Sequence, residues 1–77
     1  MPRIFEQDGF RFGFYSNDHR PVHVHVTKAG AEAIFDLEEG VELRESFGFK
    51  VNDLARAQEL AEANRQTILS KWHEYFG

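Results

Sequence analysis

The sequence of 77 residues contains no cysteine, two prolines and one tryptophan. The absence of cysteine excludes disulfide bonds and zinc sites with thiolate ligands. Stability must therefore come from apolar packing or from a partner, and eight phenylalanines in so short a chain favour packing. A chain of this length predicts one domain, residues 1–77, with a small core.

Long apolar runs are also missing. The N-terminal residues 1–6 contain no stretch that resembles a signal peptide or a membrane span. We therefore expect a cytoplasmic protein without membrane association. The net charge is −4, and because non-specific binding to DNA needs a basic surface, we expect none. No motif indicates a cofactor.

The negative charge is concentrated in residues 31–45, which contain six acidic residues and one basic residue. The acidic residues are Glu32, Asp36, Glu38, Glu39, Glu42 and Glu45. One interpretation is a solvated sheet edge that discourages association between sheets. The other is a surface on which these six residues bind a basic protein partner.

The first half of the chain has the pattern of two β-hairpins. Asp8-Gly9 and Ala29-Gly30 are typical of two-residue turns. The flanking segments predict strands at residues 3–7, 10–15, 22–28 and 31–37, with a possible short fifth strand at 41–43. Pairing across these turns places Phe12 and Val24 on one face, which we predict to be the core face.

The second half changes to helical periodicity. Apolar residues recur at spacings of three and four from about residue 51, at Leu54, Ala57, Ala61, Ile68, Trp72 and Tyr75. The predicted fold is therefore α+β. An antiparallel sheet of about four strands, within residues 3–45, packs against one long helix at about residues 51–75.

Two histidines lie on the predicted strand 22–28, on the face opposite its valines. The predicted register sets His23 opposite Asp36, and places Arg11 and Tyr15 on the same face as the histidines. In one interpretation this is a half-exposed strand face with ordinary hydrogen bonds to carboxylates, or a face covered by a partner or by a second copy in a homodimer.

Two other interpretations give this face a chemical role. In a metal-independent ribonuclease, His23 and His25 would be the acid and the base. Arg11 or Arg20 would contact phosphate, and Tyr15 and Asp36 would orient the catalytic groups. In a metal site, His19, His23 and His25 would be nitrogen ligands, with Asp36 as a fourth ligand.

Several spaced motifs resemble one family over essentially the whole chain. They are Asp8-Gly-Phe-Arg-Phe12, Phe14-Tyr-Ser-Asn-Asp-His19, Pro21-Val-His-Val-His-Val26, Gly48-Phe49 and Trp72-His-Glu-Tyr-Phe-Gly77. The family comprises small prokaryotic proteins and is known as domain of unknown function 4160. The resemblance implies an accessory protein from bacteria or phage, one half of a toxin–antitoxin-like pair, and carries over no catalytic residue. Lys50 stands where the family usually has a serine or a similar helix-capping residue, so we expect the helix start to be less well capped.

Taken together, the sequence favours a small protein-interaction module. Its acidic surface would bind a basic, nucleic-acid-handling protein, as a toxin–antitoxin-like component or as an inhibitor. The ribonuclease and the metal-binding domain are the alternatives, so the sequence leaves open whether the protein is an enzyme.

Overall fold

The computed structural model describes residues 3–77. Met1 and Pro2 lie outside the described residues. They begin the segment 1–6, in which the sequence predicts no signal peptide. Within residues 3–77, five strands form one antiparallel sheet in the order β1-β2-β3-β4-β5. The elements are β1 (Arg3–Gln7), β2 (Phe10–Gly13), β3 (His23–Lys28), β4 (Ala31–Asp36), β5 (Glu42–Phe47), α1 (Val51–Ala63) and α2 (Arg65–Phe76).

Both predicted hairpins are present. The turn residues Asp8-Gly9 and Ala29-Gly30 all have positive φ, as two-residue turns between twisted strands require. Val24 pairs with Phe35 and His23 with Asp36 across the second hairpin, and Phe5 pairs with Phe12 across the first. These pairs confirm the predicted registers, although β2 ends at Gly13 rather than at residue 15, and β3 and β4 stop one residue short, at His23 and Asp36.

The core lies between one face of the sheet and the two helices. Alternate residues of β2, β3 and β4 are buried against the helices, and Ile68 and Trp72 are their buried counterparts on α2. The aromatic rings of Phe14 and Trp72 meet edge to face, with centroids 5.3 Å apart. The largest fully buried side chains are Trp72, Phe10, Phe12, Phe14, Phe35, Leu37, Ile68, Val24 and Val26.

The fifth strand is longer than predicted. It runs from Glu42 to Phe47, rather than over residues 41–43, and so extends past residue 45, the predicted end of the sheet; it pairs with β4. The register shifts between Ile34 and Phe35, which leaves Arg44 as an extra residue on β5. This bulge interrupts the two-residue periodicity, and glutamates are uncommon in strands, so the sequence pattern gave little sign of a strand here.

The prediction of one long helix is wrong, because the helical segment is divided at Asn64. This residue has φ −108° and ψ 16°, outside the helical range. Its side-chain amide donates to the carbonyl of Leu60 at 2.8 Å. The backbone N–H of Asn64 donates to the same carbonyl at 3.0 Å. The Leu60 carbonyl thus accepts from both the backbone and the side chain of Asn64, and α1 ends at this residue.

Neither helix has the length and hydropathy that a bilayer crossing requires, over the part of the chain that is described.

The start of α1 generates a prediction about stability. Lys50 occupies the N-cap position with extended backbone angles but makes no side-chain capping hydrogen bond. Lys50→Ser should raise the free energy of unfolding by about 1 kcal/mol, because the hydroxyl can accept from an unpaired N–H of the first turn. Urea denaturation followed by circular dichroism measures the change.

Lys50→Ala is the matched control, since it removes the same positive charge without adding an acceptor. If the alanine variant gained as much stability as the serine variant, the gain would come from charge at the helix N-terminus and not from capping.

Candidate functional site

His23 and His25 lie on β3, on the face opposite the valine core, yet both are only 5% exposed. The segment between β2 and β3, residues 14–22, supplies contacts to both histidine rings. The ring of Trp72 reaches His23 from α2, at a centroid distance of 5.3 Å. The half-exposed face expected from the strand pattern is therefore closed at these two residues.

Asp18 joins the two histidines. Its Oδ1 atom lies 3.2 Å from Nε2 of His23 and 3.1 Å from Nε2 of His25. Its other oxygen, Oδ2, accepts the backbone N–H of Tyr15 at 2.9 Å. The Asp18 side chain is 9% exposed. One buried carboxylate thus binds both rings and its own loop.

The remaining ring nitrogens also face oxygens. Nδ1 of His23 lies 2.8 Å from the carbonyl oxygen of Pro21. Nδ1 of His25 lies 3.1 Å from Oε2 of Glu32. We call Asp18, His23 and His25 the histidine cluster, and Pro21 and Glu32 its outer partners.

The oxygens that surround the two rings are all acceptors. A carbonyl oxygen and an ionised carboxylate can only accept hydrogen bonds. Each of the four ring nitrogens of His23 and His25 therefore faces an oxygen to which an N–H group can donate.

The environment of Asp18 favours its charged form. Burial alone would raise its pKa, but several interactions oppose burial: the hydrogen bond from the Tyr15 backbone, those from His25 and His23, and the charge of His25. Together they hold the pKa of Asp18 below its ordinary value.

Tyr15 forms one wall of the cluster. Its ring meets that of His25 edge to face, with centroids 4.2 Å apart, and its hydroxyl donates to Oε2 of Glu32 at 3.2 Å. Burial, followed by the negative charges of Glu32 and Asp18, raises the pKa of Tyr15. The phenol is therefore a neutral donor at physiological pH.

The other residues proposed for chemistry lie elsewhere. Arg11 is on the same sheet face but pairs weakly with Glu6, at 3.9 Å. Asp36 is the cross-strand partner of His23, yet its carboxylate pairs with Arg44. His19 is exposed and is not part of the cluster, although it follows Asp18 directly.

The geometry of the histidine cluster fits a buried hydrogen-bonded network better than a site of acid–base catalysis. A general acid or base must reach the proton that it transfers on a substrate. The Nε2 atoms of His23 and His25 instead point at the buried oxygen of Asp18. Sequence analysis missed Asp18, because an aspartate after asparagine in a loop indicates only a turn.

The acidic residues occupy the neighbouring part of the same face. Because cross-strand partners share a face, Glu42 and Glu45 lie with Asp36 and Ile34 on this side of β4 and β5. Beside them is a depression of about 220 Å³. Four carboxylate side chains and a proline line it: Asp36, Glu38, Glu39, Glu42 and Pro21.

Side chains of both helices hydrogen-bond to the acidic turn, residues 37–41, that precedes β5. Arg65 donates to the carbonyl of Leu37 at 2.6 Å and to that of Gly40 at 3.1 Å. Gln58 donates to the carbonyl of Val41 at 3.3 Å. Glu38 accepts the backbone N–H of Val22 at 3.1 Å, so its carboxylate also has a structural role.

These features define a small α+β domain in which one sheet face packs on two helices. The other face carries the histidine cluster and, beside it, the acidic residues Asp36, Glu42 and Glu45. The chain belongs to the family described as a domain of unknown function, DUF4160, whose model matches residues 9–73. The matched region includes the histidine cluster and all six acidic residues of segment 31–45.

No curated protein matches the chain. No solved structure matches it either.

Asp18 generates a prediction about stability and pH. Asp18→Asn should lower the free energy of unfolding at pH 7 by roughly 1–3 kcal/mol, because the amide NH₂ must face either the Tyr15 N–H or the histidines. The pKa of Asp18 is lower in the folded protein than in the unfolded chain, where it is about 4, so the ionised carboxylate stabilises the fold above about pH 4. This stabilisation is lost as the pH falls through the pKa of the folded protein. The difference between wild type and variant should therefore shrink below about pH 4.

Denaturation with urea at pH 7 and pH 3, in metal-free buffer, measures both quantities. Glu59→Gln is the matched control, because that side chain is 65% exposed and its removal should cost well under 1 kcal/mol. A loss of stability in Asp18→Asn that stays constant between the two pH values would contradict the prediction.

Proposed function

We propose that the protein is an interaction module that binds an extended basic segment of a partner protein along β5. The observation that carries the proposal is that β5 is an edge strand whose side chains are mostly exposed and include Glu42 and Glu45 on one face.

An edge strand can accept another strand. Only β4 pairs with β5 among the described strands, so its other side has backbone groups available to a partner. Addition of a strand to such an edge gives affinity through the main chain, while alternate side chains give specificity. Six residues, Glu42–Phe47, are long enough for this pairing.

The exposed side chains indicate the composition of the partner. Glu42 and Glu45 present negative charge, and Phe47 is 65% exposed. Leu43, on the core side, is 42% exposed. A segment in which lysine or arginine alternates with aliphatic residues would place basic side chains on the face of Glu42 and Glu45 and aliphatic side chains on the face of Leu43.

The rigidity of the acidic turn supports the same proposal. The hydrogen bonds from Arg65 and Gln58 fix the backbone of residues 37–41, next to the start of β5. A surface that is already ordered loses less conformational entropy when a partner binds. Glu39, exposed within this turn, therefore extends the acidic surface at little entropic cost.

A wider role follows from the resemblance to a toxin–antitoxin-like pair. A basic partner that handles nucleic acid would be covered by the acidic surface, which would make the protein its antitoxin or inhibitor. In this proposal the histidines serve the fold of the module, and neither the ribonuclease alternative nor its residues are needed.

Reversal of the acidic charges tests the interaction. The probe is a labelled eight-residue peptide of alternating lysine and valine, and fluorescence anisotropy measures its Kd at low and at physiological salt. The triple variant Glu39→Lys, Glu42→Lys and Glu45→Lys should weaken binding about tenfold or more, since each lost pair contributes roughly 0.5 kcal/mol. The wild-type Kd should rise with salt.

The matched control is Glu59→Lys, Glu62→Lys and Glu74→Lys, which changes the net charge equally at exposed helix positions. It should retain most of the affinity of the wild type. Equal losses in both triple variants, or no binding by the wild type, would argue against a defined site. If the triple variant of Glu39, Glu42 and Glu45 self-associated but bound the peptide as the wild type does, the acidic residues of this edge would serve only to prevent aggregation.

A further inference from the structure

We propose that Asp18, His23 and His25 bind a divalent transition-metal ion of the zinc class, with Pro21 and Glu32 as outer partners. This inference concerns the histidine cluster and does not depend on the proposed interaction through β5.

The donor atoms have suitable chemistry and spacing. Two imidazole nitrogens and one carboxylate oxygen form a ligand set that is typical of zinc and its neighbours. The three atoms lie within 4.8 Å of one another. With metal–ligand bonds of about 2.0–2.1 Å, the 3.1 Å and 3.2 Å separations from Asp18 Oδ1 to the two Nε2 atoms correspond to angles of about 100° at the metal. These angles are close to those of a tetrahedral site.

The outer partners fix the rings in the form that binds a metal. A ligating histidine usually donates its other ring N–H to a carbonyl or a carboxylate, which sets the tautomer and the orientation of the ring. His23 Nδ1 faces the carbonyl of Pro21, and His25 Nδ1 faces Glu32. Both rings therefore have Nδ1–H donors and direct Nε2 towards the same point.

The third ligand is held in place before any ion binds. Oδ2 of Asp18 accepts the Tyr15 N–H, which leaves Oδ1 to face the histidines. The Tyr15 hydroxyl donates to Glu32, so this outer carboxylate is also oriented. Three protein ligands leave one position of a tetrahedral site for a water molecule or another small ligand.

The acidic side chains at the cluster suit a cation. Asp18 Oδ1 lies between the two rings, and Glu32 Oε2 lies 3.1 Å from Nδ1 of His25. A divalent cation bound by two neutral imidazoles and Asp18 would therefore lie beside two carboxyl groups, the kind of partner that a buried cation requires.

Trp72 provides a local reporter of binding. It is the only tryptophan of the sequence, and its ring lies 5.3 Å from that of His23. Co²⁺ bound to the cluster should quench its fluorescence, and added Zn²⁺ should reverse the quenching by displacement. The experiment uses untagged protein at about pH 7.5, with Zn²⁺ affinity measured separately by isothermal titration calorimetry.

Four single variants identify the ligands. Asp18→Ala and His25→Ala should weaken Zn²⁺ binding by about 100-fold or more, a greater effect than is usual for outer partners. His19→Ala and His73→Ala are matched controls, because these exposed histidines lie outside the cluster. Both controls should bind as the wild type does.

Glu32→Gln provides a further test that does not remove a ligand. It should weaken binding by about 10–100-fold, because the amide orients His25 less well. Circular dichroism shows whether each variant is folded, and if Asp18→Ala or His25→Ala is unfolded, the comparison of Glu32→Gln with the wild type decides. The wild type should also gain thermal stability with Zn²⁺.

Three results would overturn the proposal. The first is a wild type that shows neither calorimetric binding nor a thermal shift with Zn²⁺ or Co²⁺. The second is loss of binding in His19→Ala or His73→Ala while Asp18→Ala still binds, which would place the metal on exposed histidines. The third is Zn²⁺ binding of unchanged affinity in folded Asp18→Ala and Glu32→Gln, in which case the cluster is a hydrogen-bonded structural element only.

Discussion

Burial of one sheet face against the two helices is the constraint on which the rest of this structure depends. In a chain without disulfide bonds, the phenylalanines and valines of β2, β3 and β4 must be covered by α1 and α2. Because side chains alternate along a strand, this packing sends His23 and His25 to the other face. That face must then be closed by the loop before β3 or remain open to solvent.

One part of the second face is closed by the loop before β3, and another part is open to solvent. Near β3, Asp18 and Tyr15 cover the histidines, and every contact of the rings with Asp18, Pro21 and Glu32 is polar. Near β5 the face is open to solvent, and the side chains of Glu42 and Glu45 are exposed. Glu32 connects the two regions, since it belongs to the acidic segment but bonds to His25 and Tyr15. A carboxylate in the acidic segment is thus not necessarily available to a partner.

Local patterns explain what sequence analysis predicted and what it missed. The hairpins were predictable, because Asp8-Gly9 and Ala29-Gly30 fix their turns and alternation fixes their register. The family was recognisable from its spaced motifs. The division at Asn64 depends on the non-helical backbone angles of one residue, and β5 depends on pairing with β4 around a bulge. Hydrophobic periodicity reports neither event.

The sequence by itself determined the two hairpins, the helical second half, the position of His23 and His25 on one face and the excess of negative charge in residues 31–45. Each of these follows from neighbours close in the chain. Only the tertiary structure decided that Asp18 rather than His19 meets both histidines, and that Asp36 turns to Arg44. The reason is that a loop residue is placed by how the loop closes over the sheet, and no periodicity along the chain records that closure.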